Sequence, residues 1–240
     1  MKNKHIWPFI ISLIVPLLCF SQEKNEVGEE KAPKVYALRL GLDLIKPALT
    51  QFGEDYQGLE LVGDLRLNNR IYVAAELGSE RKTQQSEQIN FTTNGSYIKL
   101  GVDYNFFNNW KGMNNALYAG FRLSRSLHTH QVNSYTLYQT NQYLPIFTTE
   151  GYLTGERAQL SSSWFELLFG TKVELFPNFY AGISIRMHAL LNNNQPRDFG
   201  NLHAPGFNKI TDDNKFGAGI NYTIAYAFPF RFKKEKSKAE

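Results

Sequence analysis

Cysteine is almost missing: the 240 residues contain one, Cys19. A disulfide-stapled scaffold is therefore excluded. Long apolar runs are missing too. The one candidate, from Ile6 to Phe20, is short and broken by Pro8 and Pro16. A polytopic helical membrane protein needs several spans of about 20 apolar residues, so that class is excluded as well. A large excess of one charge sign is absent, with 26 Lys and Arg against 22 Asp and Glu. Disorder is excluded by the apolar content, 42% hydrophobic and 14% aromatic. What is present is an unusual mixture: 13 Tyr, 18 Phe and 18 Gly in a chain of mean hydropathy −0.37. A sheet wet on one face and apolar on the other has that composition.

Residues 1–21 read as a secretory signal. Lys2, Lys4 and His5 form a basic start, an apolar stretch follows, and Ser21 is a small residue placed for cleavage before Gln22. Leu18 stands where lipoprotein processing needs a small residue before Cys19, so a lipid anchor is not expected. Cleavage leaves a chain with no thiol and removes Lys2 and Lys4 from the formal charge of +4. Residues 22–35 read as a periplasmic linker and 233–240 as a charged periplasmic tail. No nucleic-acid motif accompanies the basic residues.

From Tyr36 onward the dominant period is two, the mark of strands with different faces. Leu38, Leu40, Leu42 and Leu44 alternate with Arg39, Gly41 and Asp43; Ile98, Leu100, Val102 and Tyr104 alternate with Lys99, Gly101 and Asp103. The same pattern recurs near residues 59–67, 71–78, 117–124, 165–175, 179–188 and 217–228, with the last strand expected to end near Phe228 before Pro229. Eight strands of about ten residues have the length needed to cross a bilayer at a tilt. Asn68-Asn69 and Pro177-Asn178 read as two-residue turns, and residues 107–115 as a modest turn. Residues 46–57, 80–95, 127–162 and 191–215 read as long loops. Short turns on one rim and long loops on the other predict an all-β, eight-stranded antiparallel up-and-down barrel over 36–232, inserted in the outer membrane with both termini periplasmic.

A soluble eight-stranded barrel would be apolar inside instead. Glycines decide between the two. Gly41, Gly101, Gly120, Gly170, Gly182, Gly217 and Gly219 all share the polar face, where they make room in a narrow lumen but would weaken a solvated surface. Aromatics Tyr104, Phe106, Phe179, Tyr226 and Phe228 gather near strand ends on the apolar face, as an interfacial girdle does. With the aromatic last strand, residues 36–232 resemble the small eight-stranded outer-membrane barrels of the OmpA-transmembrane and OmpX type. The signal ending Phe20-Ser21-Gln22 is similar to that of uncharacterised small barrels from Bacteroidota-type bacteria. The resemblance implies a fold, a location and recognition by the outer-membrane assembly machinery. It implies no activity.

The lumen face carries Arg39, Arg66, Lys99, Arg122, Lys172 and Arg186 against Asp43, Glu60, Asp64, Glu76, Asp103, Glu166 and Glu174. An eight-stranded barrel has room for little but its own side chains, and buried charges must be paired. Near-balance of sign predicts a salt-bridge network that plugs the lumen. A narrow porin-like channel along the same residues is the alternative. An enzyme that processes lipid or protein is a second one: His128 and His130 share a strand face with Ser126, but only loop residues such as Asp212-Asp213 offer a carboxylate. Catalytic residues, cofactor and metal are therefore all expected to be none. Tyr135, Tyr138, Tyr143, Phe147 and Tyr152 fall in the longest outer loop, which either binds a partner or extends strands above the membrane. The expected role is structural, or that of an accessory subunit. The expected partners are outer-membrane lipid and a larger barrel or surface lipoprotein complex.

Overall fold

A computed structural model describes residues 36–86, 89–107, 114–137, 147–148, 157–194, 201–210 and 215–230. The elements in chain order are β1 (Tyr36–Asp43), α1 (Ile45–Phe52), β2 (Tyr56–Arg66), β3 (Ile71–Gln85), β4 (Ile89–Asn105), β5 (Ala116–Leu137), β6 (Phe147–Thr148), β7 (Arg157–Phe176), β8 (Phe179–Asn193), β9 (His203–Ala204), β10 (Asn208–Lys209) and β11 (Phe216–Phe230). Eight of these strands, β1–β5, β7, β8 and β11, pair antiparallel with their neighbours, and β1 closes on β11 from Tyr36↔Phe230 to Asp43↔Thr223. The protein is an eight-stranded antiparallel barrel, and full closure leaves no sheet edge around its lower half.

Alternation fixes which face points where. Along β3, Tyr72, Ala74, Glu76 and Glu80 are buried while Ile71, Val73 and Leu77 are exposed. The exposed set continues around the barrel as Leu61, Leu100, Leu123, Phe169 and Ile185, a continuous apolar belt on the outside. In water such a surface would aggregate. Against hydrocarbon it is the favourable arrangement. Tyr104 and Phe106 pack edge-on at 4.9 Å, and Tyr226 and Phe228 at 5.0 Å, at the rim of the short connections.

Glycine permits the tightest inward approaches. A Cβ at Gly101 would strike the Phe121 carbonyl, and one at Gly120 would strike the Asp103 carboxylate. Pro177-Asn178 is a two-residue hairpin, with Asn178 in the left-handed region at φ 67°. The other expected short turn is longer: residues 67–70 join β2 to β3, and the Asn68 side chain accepts from the Arg70 and Ile71 amides at 2.8 and 2.7 Å. Residues 108–113 of the third short connection lie outside the described residues.

Three further boundaries differ from the sequence expectation. Residues 80–95 are not a long loop, because β3 runs to Gln85 and β4 starts at Ile89. The stretch 127–162 is strand at both ends, with β5 and β7 paired up to Gln131↔Arg157. β11 continues through Pro229 to Phe230 instead of stopping near Phe228. The stretch 46–57, read as loop, is largely helix: α1 covers Ile45–Phe52, and its Ile45, Ala48, Leu49 and Phe52 recur at helical spacing.

Candidate functional site: the lumen and its outer mouth

The inward side chains form one continuous ladder of alternating charge. Arg39 meets Asp64 at 2.7 Å, and Asp64 meets Lys172 at 2.6 Å. Lys172 lies 3.8 Å from Asp103, which Arg122 contacts at 2.6 Å. Arg122 reaches Glu76 at 3.1 Å, and Arg186 bridges Glu76 at 2.6 Å and Glu166 at 3.1 Å. Lys99 joins Glu166 at 3.1 Å to Glu60 at 3.7 Å. Lys46 completes the ladder between Glu60 and Glu80. Six cations thus alternate with six carboxylates, and the column is neutral. Neutral donors complete the carboxylates: Tyr97 Oη donates to Glu60, Trp164 Nε1 to Glu166 at 2.7 Å, and Asn221 Nδ2 to both Glu60 and Asp43 at 3.0 Å.

The sequence-derived charges divide into three groups. Arg39, Glu60, Asp64, Glu76, Lys99, Asp103, Arg122, Glu166, Lys172 and Arg186 stand in the ladder. Asp43 is buried but has no cation within 4.0 Å among the described residues; it accepts from the Ile45 and Tyr222 amides and from Asn221. Arg66 and Glu174 sit at the rim of short turns. Arg66 donates to the Asn68 carbonyl and the Asn69 side chain, and Glu174 accepts from Asn114 and the Asn178 amide. Two ladder members escaped the sequence reading, Lys46 and Glu80. Both fall in segments read as loop, and the strand parity of Glu80 with Glu76 was the available signal.

The outer mouth is covered from inside by residues 201–210. β9 and β10 form a small ladder, and the turn between them holds Gly206 at φ 81°, where its amide donates to Glu80 at 3.0 Å. Phe207 is driven into a cluster with Tyr97, Trp164, Ala204 and Ile210, meeting the Trp164 ring edge-on at 5.7 Å. Burial of these rings, each removing roughly 150–250 Å² from water, holds the cap down. Beside the cap, Ser126 Oγ lies 3.2 Å from His128 Nδ1, His128 Nε2 lies 3.3 Å from Asn201 Oδ1, and His130 Nδ1 lies 3.0 Å from Thr93 Oγ1. His128 and Ser126 therefore meet an amide and not a carboxylate. No group of three His, Cys, Asp or Glu among the described residues is placed to hold a metal. In this outer connection burial pushes the His203 imidazole down to about 4, against a raising influence from Glu80.

Of the aromatic loop residues, Tyr135 is half-buried near the end of β5. Phe147 belongs to β6, which pairs with Thr136 and Leu137 of β5. Tyr138, Tyr143 and Tyr152 lie outside the described residues.

A closed eight-stranded barrel with an apolar outside and a charged inside is the fold of small outer-membrane barrel proteins. Within that class the chain belongs to the family described as the domain of unknown function DUF6048, whose pattern matches residues 5–234. No curated protein matches it. Among solved structures it is similar to Ail, the attachment invasion locus protein of Yersinia pestis, at 11% identity and a TM-score of 0.41, over 82% of this chain and 100% of Ail. Ail bound to the heparin analogue sucrose octasulfate gives a TM-score of 0.43 over the same shares, again at 11% identity. Neisserial surface protein A is similar at 12% identity and a TM-score of 0.37, over 82% of this chain and 96% of that one.

Proposed function

We propose that the protein is a non-enzymatic, non-conducting barrel of the outer membrane that serves as a structural or accessory subunit of a larger envelope complex. One observation carries the closed lumen. The cavity inside the ladder, lined by Arg39, Asp64, Glu76, Arg122, Lys172 and Arg186, measures about 30 Å³. That is room for a water or two and not for a hydrated ion path. The charges around it are paired, so an ion entering would have to break buried contacts worth several kcal/mol.

In planar bilayers the purified protein is expected to give no conductance steps. Steps that change when Arg122 or Arg186 is neutralised would overturn the closed lumen. The accessory role is supported by the β4–β5–β7 sheet, whose ladder continues beyond the apolar belt as a polar surface (Ser96, Asn94, Thr129) on which a partner can sit. Affinity purification from gently solubilised membranes is expected to bring down a partner that is lost when residues 138–156 are removed. Migration of the intact protein alone in native gels would sink that role.

A further inference from the structure

β1 is the shortest barrel strand, eight residues against 11 to 22 in the other seven. Its ladder with β11 stops at Asp43↔Thr223 and its ladder with β2 at Leu42↔Leu61. The Leu44 amide adds one bond to the Tyr222 carbonyl at 2.7 Å. Beyond that level β2 continues to Tyr56 and β11 to Phe216, and each pairs only on its far side, with β3 and β8. The wall has a gap there, and α1 lies in it. Apart from the Ile45 amide, which donates to Asp43 at the end of β1, the bonds of α1 to other strands among the described residues run to β2 and β3: Thr50 Oγ1 accepts from the Gly58 amide at 2.8 Å, and Lys46 pairs with Glu60 and Glu80. The slit is therefore between α1 and β11.

Behind the slit is a cavity of about 270 Å³. Its lining is graded. Ile45 and Leu49 of α1 and Ile220 of β11 form an apolar edge, and Leu49 and Ile220 are 49% and 59% exposed, so this edge faces outward at the level of the belt. Asp43, Glu60, Lys99 and Asn221 form a polar floor together with Lys46 of α1, which is already paired with Glu60 and Glu80, and Lys82 lies at the side. Gly219 keeps the space open, since a Cβ there would meet nothing nearer than His188 Cε1 at 3.4 Å. Among the described residues two of these charges lack an opposite within 4.0 Å, the buried Asp43 and the half-buried Lys82. A buried carboxylate without a cation is costly, and an incoming ammonium relieves that cost. A free lysine is a ready partner for phosphate.

We propose that the slit is a lateral portal and that the cavity receives the headgroup of a zwitterionic phospholipid. The ammonium lies toward Asp43, the phosphate toward Lys82, and the acyl chains stay outside against Leu49 and Ile220. This rests on the membrane-embedded reading of the barrel.

The test uses the full chain refolded in phospholipid-free detergent, with bound ligand counted by native mass spectrometry. The probes are short-chain phosphatidylethanolamine, short-chain phosphatidylglycerol, which lacks the ammonium, and free phosphoethanolamine, which lacks the chains. One phosphatidylethanolamine should be retained at a concentration at least tenfold below that needed for either other probe. Asp43→Asn and Gly219→Phe should each weaken retention tenfold or more. Lys82→Ala, at a half-buried side position with no carboxylate within 4.0 Å among the described residues, should weaken it several-fold. Equal retention of the two lipids, or retention unchanged in both Gly219→Phe and Lys82→Ala, overturns the portal. Free phosphoethanolamine binding as tightly as the lipid overturns lateral entry. Insertion into vesicles and heat-shifted gel migration are read in parallel. A chain that fails them takes down the membrane reading with the portal, and one that passes them without selective binding takes down the portal alone.

Discussion

Arg186 touches two carboxylates at once, Glu76 and Glu166, from a fully enclosed position. Arg186→Met removes the shared cation and leaves both acids short of charge. The expected loss is about 3–5 kcal/mol, the usual cost of breaking a buried pair from one side. A lowered urea midpoint for the vesicle-inserted protein, followed by tryptophan fluorescence, checks it. His203 gives a pH prediction of known sign. Folded, it stays neutral down to about 4, while the unfolded imidazole takes up a proton near its ordinary value of 6.5. Stability tied to this group is thus complete above pH 6.5 and is lost as pH falls toward 4. Glu80 favours the charged ring, and Lys82, His128 and His130 oppose it. His203→Asn should flatten the slope of unfolding midpoint against pH over that window. At this scale the ladder's middle was readable from parity alone. Its outer end was not, because Lys46 reaches the lumen from a helix and Asn221 enters as a neutral donor among charges.

Among the elements, the cap over residues 201–210 depends on one backbone conformation. Gly206 sits at φ 81° with the Tyr97 ring 2.8 Å from where a Cβ would stand. Gly206→Ala is therefore strained twice, and a loss of about 1–3 kcal/mol is expected. Loosening of the cap without collapse of the barrel is the expected form, seen as faster proteolysis between residues 195 and 215 with heat-shifted gel migration retained. Strands were legible in the sequence wherever lipid requires an apolar outward residue every second position. Above the belt that requirement ends. Ser79 and Arg81 on β3, Asn94 and Ser96 on β4 and Thr129 on β5 are polar and outward or partly so. The ladder continues through them, held by backbone hydrogen bonds that leave no mark on side-chain pattern. α1 was hidden for a different reason: eight residues containing Pro47 give too short a window for a helical period to stand out.

For the whole molecule, closure is made by the strands farthest apart in the chain. Tyr36 pairs with Phe230, so nearly every described residue lies between the two sides of the seam. β3 and β4, by contrast, pair across a three-residue connection. Hairpins of that kind can form as soon as their own residues meet, whereas the seam must wait for the rest of the chain. Topologies dominated by distant pairings lose more loop entropy before they gain contacts, and they fold slowly. A circular permutant that links residue 230 to residue 36 and opens the Pro177-Asn178 turn only moves the distant seam from β1 and β11 to β7 and β8, so it should insert into vesicles at about the rate of the natural order, as timed by gel shift, with its urea midpoint little changed. In the natural order the two unpaired margins of the nascent sheet stay open longest, and they are the stretch of the chain most exposed to mispairing with another copy before the ring is complete.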